Sequence, residues 1–319
     1  MTWRDVWPLL RRTFEAWNED KVPRLGAALA YYALFSMAPL LMMAVAIAGL
    51  VFGEAAARGE VVGRIRAAVG DTVAEAIEGM LKSIYSSGGS TAATITGLAL
   101  LLFGASAMLM QLQDALNTIW EVTPPAGRGV LGIVRDRFLS FLLVLGAGLL
   151  LMSSLALSTA LAATSKLWDS AAVPGGPLLW QGVHWLVSLA FTALLFALTY
   201  KVLPDVHLPW RDAWVGAAVT AILFTVGQHL VGWYLGQGST TSAFGAAASL
   251  VVILLWVYYS SQILLLGAEF TRVYASMRAS PVAPRKGAVP VPESALAAEG
   301  TPRATPLAGS HDRKARTPA

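Results

Sequence analysis

The chain carries six long apolar runs, near residues 28–52, 93–115, 138–163, 180–203, 213–236 and 246–271. A helix rises 1.5 Å per residue, so runs of roughly 23 to 26 residues are long enough to cross a hydrocarbon core of about 30 Å. Formally charged residues inside the runs are Asp114, Lys201 and Glu269, each close to an end of its run, where a charged group can reach interfacial water. Ten of the eleven Trp residues also fall outside the runs or near their ends, where an amphipathic indole prefers to sit. Trp256 is the deep one. With 56% hydrophobic and only 13% charged residues, the chain is too apolar for a soluble domain, which carries about 25% charge. The expected fold is all-α, a polytopic membrane protein with six transmembrane helices in one membrane domain, residues 28–275.

Lys and Arg near span ends resist translocation and so set orientation. Of the 23 basic residues, one side of the predicted bundle takes Arg4, Arg11, Arg12, Lys21 and Arg24 before the first span, Arg128, Arg135 and Arg137 after the second, Lys201 and Arg211 after the fourth, and all those after the sixth. The other side takes Arg58, Arg64, Arg66, Lys82 and Lys166. An even number of spans with this bias places both termini in the cytoplasm. The net charge of +4 follows from the same bias, and no basic patch with stacking aromatics points to a nucleic-acid partner. Residues 1–27 hold charges throughout and lack a cleavage site for a signal peptide, so the first span is expected to act as an uncleaved anchor. The absence of cysteine excludes disulfides, thiolate metal sites and cysteine nucleophiles.

Three segments lie outside the predicted spans. In residues 1–27, Trp3, Val6, Trp7, Leu10, Phe14 and Trp17 recur at helical spacing with Arg4, Arg11 and Arg12 mainly elsewhere. This predicts an amphipathic helix that either lies in the cytoplasmic interface or packs on the bundle, kinked or shortened at Pro8. Residues 53–92 form the longest extracytoplasmic connection. Val62, Ile65, Val69, Val73, Ile77, Met80, Leu81 and Ile84 there predict two amphipathic helices with a Thr72 to Glu75 capping box. From 276 to 319 Pro, Ala and basic residues replace hydrophobic periodicity, which predicts a disordered basic cytoplasmic tail.

Polar side chains within spans are the candidate functional residues, because a charge at the bilayer centre costs roughly 2.5 to 3.5 kcal/mol. Gln111, Asp114, Asn117 or Thr118, and Glu121 follow at three- or four-residue steps, predicting one polar stripe toward the cytoplasmic end of span two. Span six places Gln262 and Glu269 on one face with Arg272 one turn beyond. Glu269 then pairs with Arg272, with Lys201 or with a basic residue of the amino-terminal segment. In span five His229 is a candidate proton relay, and Pro39 with Ser36 marks a candidate kink in span one. Interhelical hydrogen bonding explains the same residues equally simply. The Gly146 to Gly148, Gly216 to Ala218 and Gly245 to Ser249 stretches permit close helix approach. With four His and no HExxH, phosphate-binding loop or GxSxG elbow, no catalytic, metal or cofactor site is expected.

The chain resembles the YihY/BrkB family of bacterial inner-membrane proteins. The matching blocks are Ala27-Ala28-Leu29-Ala30-Tyr31-Tyr32 with Ser36, Ala38 and Pro39, then Ala115-Leu116-Asn117-Thr118-Ile119-Trp120, Pro204, Gly216-Ala217, Tyr234-Leu235, Leu255-Trp256 and Leu265-Leu266-Gly267-Ala268-Glu269. Phe244 stands where many members have Tyr, so no tyrosine hydroxyl is required there. The resemblance implies a six-span protein of the cytoplasmic membrane, in a family historically labelled ribonuclease BN and associated with virulence factors. RNA cleavage needs a metal cluster or a paired acid and base within reach of a charged substrate, so the ribonuclease reading ranks last. Some relatives are linked to export of envelope lipids, and a transporter or flippase-like function ranks first. A non-transporting scaffold for envelope machinery, recruiting a protein partner through residues 53–92, is the alternative. Membrane lipids are the expected partners, and self-association is left open.

Overall fold

The computed structural model describes residues 3–36, 107–123, 176–236, 248–280, 282–285 and 288–291, with isolated positions between 59 and 78. Predicted span three, the helical pair of residues 53–92 apart from those positions, Pro39 and the tail beyond 291 lie outside the described residues. The described part is mostly helical. Helix α1 runs Trp3–Glu19, α2 covers 22–36 and α3 covers 107–119. They are followed by β1 Val122–Thr123, α4 Gly176–Val202, β2 Val206–His207, α5 Trp210–Gly236, α6 Ala248–Met277, β3 Ala283–Pro284 and β4 Val289–Pro290.

Three helices, α4, α5 and α6, are long and apolar enough to cross a membrane, through Trp185–Val202, Trp210–Val231 and Val251–Met277. They coincide with predicted runs four to six, although α6 continues six residues past the predicted end because Phe270, Val273 and Tyr274 still have protein to pack on. Val183, Trp185 and Leu186 of α4 and Ile222, Val226 and Leu230 of α5 are exposed. In a bilayer such outward apolar surface meets acyl chains, and association of the helices depends on close packing and hydrogen bonds.

Glycines bring α5 and α6, which run antiparallel, into close contact. A Cβ at Gly216 would overlap Thr271, and a Cβ at Gly267 would overlap Thr220 and the Tyr200 hydroxyl. Each threonine therefore fills the notch left by a glycine on the other helix. Each also bonds back within its own helix, Thr220 Oγ1 to Gly216 O at 2.7 Å and Thr271 Oγ1 to Gly267 O at 2.6 Å. Tyr200 of α4 joins this seam by donating to Leu264 O at 2.8 Å, 2.9 Å from Thr220 Oγ1. Trp256 sits deeper, its ring edge-on to Phe224 with centroids 6.4 Å apart.

α1 includes Pro8, yet stays helical throughout. The missing N–H forfeits only the bond to the Arg4 carbonyl, near the helix start. Leu9 and Ala16 of α1 cluster with Val273 and Tyr274 at the end of α6. α1, α3 and α6 each end in a left-handed residue that is not glycine: Lys21 (φ 51°), Glu121 (φ 54°) and Ala279 (φ 50°). Such caps cost of order 1 kcal/mol or more and turn the chain sharply at the end of the bundle where these helices meet.

The expectation of a structureless tail from residue 276 needs correcting. α6 continues to Met277, and the chain then folds back across the bundle end. β3 pairs antiparallel with β2 (Val206 with Pro284, His207 with Ala283), and β4 pairs antiparallel with β1 (Val122 with Pro290, Thr123 with Val289). Bridges two residues long leave no periodicity for sequence reading to detect, and proline is accepted at such edges.

Candidate functional site

The polar side chains gather at the end of the bundle where α1 lies, in two adjoining knots. The first is centred on Arg272 in the last turns of α6. Its guanidinium lies 3.1 Å from Glu269 Oε2, 2.5 Å from Glu121 Oε1 and 3.5 Å from Asp20 Oδ2. Glu269 is supplied by α6 itself, one turn before Arg272. Asp20 comes from the turn between α1 and α2, and Glu121 from the turn after α3, where the positive φ of Glu121 directs it. The Asp20 and Glu269 side chains are fully buried, and those of Arg272 and Glu121 keep 14% of their surface. Glu269 Oε1 is buried with no hydrogen-bond partner among the described residues. One guanidinium thus holds three segments together in surroundings where the loss of a partner strands a buried charge.

The second knot is built from amides and backbone. Asn117 of α3 donates through Nδ2 to Asp205 Oδ2 at 3.1 Å and accepts the Asp205 backbone N–H at 2.8 Å. Gln113 Nε2 adds a 3.3 Å bond to the same carboxylate oxygen. The Asp205 carbonyl accepts the backbone N–H of Arg285 at 2.8 Å. The Arg285 guanidinium donates to the last carbonyls of α4, Lys201 O at 2.8 Å and Val202 O at 3.0 Å, satisfying acceptors that a helix end leaves open. Val291 N–H donates to the Glu121 carbonyl at 3.0 Å. Residues 282–285 and 288–291 therefore strap α3 to the link between α4 and α5, and Glu121 belongs to both knots, by its side chain to one and its backbone to the other.

Of the residues singled out from the sequence, Glu121 and Glu269 come together on Arg272, while Asn117 enters the second knot. On α3, Gln111, Asp114 and Thr118 share one face, while Asn117 turns into the protein. Gln111 is half-buried, Asp114 and Thr118 are exposed and Asn117 is buried; the helix stops at 119, so the turn rather than helical periodicity aims Glu121. Gln262 lies two turns farther along α6 from Glu269, against Gly26 of α2, with its amide oxygen and nitrogen both buried and unpartnered among the described residues. Ser36 is buried, donating to Ala33 O at 3.0 Å with its oxygen 3.4 Å from Met108 Sδ. His229 is exposed on α5, its Nδ1 2.6 Å from Thr225 O. Lys201 does not meet Glu269: it donates to the Leu208 carbonyl and lies 5.6 Å from the centre of the Trp210 ring. Sequence reading passed over Asp20, Asp205, Gln113 and Arg285. Asp205 follows Pro204 between two apolar runs, and a charged residue in so short a link was the available signal.

Spanning helices packed by glycine and threonine, with their polar groups tied off at one end, define an integral membrane protein. The chain belongs to the virulence factor BrkB family, whose profile matches residues 13–290 and so includes both strap strands. A UPF0761 membrane protein of Pseudomonas aeruginosa (strain LESB58) is 32% identical over 261 residues, 81% of this chain and 61% of the relative. One from Azotobacter vinelandii is 30% identical over 267 residues, 83% and 62% of the two chains. One from Mannheimia succiniciproducens is 28% identical over 268 residues, 82% and 87%. The chain thus spans about three-fifths of the length of the first two relatives. No solved structure matches.

Proposed function

We propose that this chain is a six-span protein of the bacterial cytoplasmic membrane, with both termini in the cytoplasm, that moves a lipid or another amphiphile across the bilayer without covalent chemistry. In this reading the Arg272 knot is the cytoplasmic gate. The observation that carries it is a buried guanidinium holding carboxylates from three separate segments at one end of the bundle. Ion pairs of this kind favour discrete closed and open arrangements, since a half-broken buried pair is costlier than either. Support for a polar passenger comes from Gln262, whose unpartnered amide lies on α6 deeper in the bundle than the gate. The orientation rests on the distribution of Lys and Arg, which accumulate at the end that bears the knot.

Purified protein in liposomes with a fluorescent phospholipid in both leaflets tests the reading, using an impermeant quencher to follow the inner leaflet. Wild-type protein should accelerate transbilayer movement over protein-free liposomes. Glu269→Gln, which removes a gate charge while keeping shape, should slow that movement about tenfold, equivalent to ~1.4 kcal/mol. Equal rates with and without wild-type protein would exclude transport of this lipid class.

A further inference from the structure

We infer that α1 is an arm lying in the plane of the membrane, docked at the same time on α6 and on the headgroup boundary of the bilayer leaflet at the knotted end. The helix has three faces. Leu9, Thr13 and Ala16 are buried, with Leu9 and Ala16 against Val273 and Tyr274. Arg11, Arg12, Glu15 and Asn18 are exposed and polar. Between these faces runs a stripe of exposed apolar residues: Trp7 at 74%, Phe14 at 60%, Leu10 at 50% and Val6 at 41%. At 100° per residue these four fall within one sector beside the buried face, and the basic residues fall outside it. Phe14 stacks on Trp17 with centroids 5.5 Å apart, which adds a second ring at the far end of the stripe.

The height of the helix identifies what covers the stripe. α1 rests on residues 273 and 274, in the final turns of the α6 segment able to cross the membrane. At the same end, exposed Trp210 and Trp214 open α5, and Lys201 lies beside the Trp210 ring. Indoles with cationic neighbours occupy the level where acyl chains give way to headgroups. The stripe thus lies at the level of that boundary, and Arg11 stands at its edge, where a long side chain reaches phosphates. The arm ends at Asp20, which pairs with Arg272, so a helix seated in the leaflet is joined directly to the ion-pair knot. This docking does not depend on what the protein transports.

The cysteine-free sequence allows single spin labels to be read without background. Full-length protein carrying Trp7→Cys, Leu10→Cys or Phe14→Cys on the stripe, Arg12→Cys or Asn18→Cys on the polar face, and Ala16→Cys on the α6 face would be reconstituted in phosphatidylcholine and phosphatidylglycerol bilayers. Collision rates with oxygen, which concentrates in lipid, and with a water-soluble nickel chelate would then be compared. Oxygen should dominate at 7, 10 and 14 and nickel at 12 and 18, with both low at 16. Nickel-accessible labels at 7, 10 and 14 would overturn the inference, leaving the stripe in water. Labels there shielded from both agents would also overturn it, since protein, such as a second copy of the chain, would then cover the stripe. The decisive positions are exposed, so substituting them leaves the α6 contact intact.

Discussion

The two knots at the end of the bundle do similar work by different means. Around Arg272 the joining is ionic: three carboxylates from three segments meet one guanidinium, and two of their side chains are fully buried. Around Asp205 a carboxylate and a guanidinium are met by amides and carbonyls rather than by opposite charge, with two short β bridges beside them. A buried ion-pair knot is cooperative, because losing the shared member leaves every partner uncompensated. The strapped knot is divisible, because each of its bonds is worth about 0.5–1.5 kcal/mol and can be removed singly. The first has the character of a latch and the second that of a seam.

Arg272→Ala should break the contrast most severely, with a loss of about 3–5 kcal/mol seen as a lowered unfolding midpoint in detergent. Arg272→Lys should recover only part of that, because an ammonium group cannot reproduce the fork that meets several carboxylates. Next comes Asn117→Ala, which removes a two-point contact and leaves Asp205 short of a donor, at about 1–3 kcal/mol. Arg285→Ala should cost about 1 kcal/mol and raise hydrogen exchange at Val206 and Ala283 while α6 stays protected. Exchange rising equally in α6 would show that the strap and the latch are one unit. The smallest effect sharpens the link between them. The pair Arg272→Ala with Asn117→Ala should depart from additivity by at least about 0.5 kcal/mol, because Glu121 and Asn117 share the end of α3; strict additivity would separate the knots.

The sequence made the latch more legible than the seam. Glu269 stands out because a charged residue in an apolar run is unusual, and the i, i+3 spacing offered Arg272 as one of its partners. Asp20 and Asp205 carry no such contrast, since charge is ordinary between helices; only the left-handed turn at Lys21 and the short link after α4 bring them inward. Arg285 was hidden in a stretch whose Pro and Ala content gives no period. Similarly, the positions of α4, α5 and α6 followed from hydrophobic length alone. The separation of Asp114 from Asn117 did not, because it depends on which face of α3 meets the α4 to α5 link.

The reciprocal notches of α5 and α6 bear on how such a bundle can move. With Thr271 seated at Gly216 and Thr220 at Gly267, sliding either helix lengthwise drives a side chain into backbone, and rotating one withdraws both threonines together. Shear along that seam is blocked, and Tyr200 of α4 is fastened into the same place. Among the described helices, α4, α5 and α6 are thus keyed to one another, and the side-chain contacts that tie α2 and α3 to them at the knotted end run through Asp20, Asn117 and Glu121.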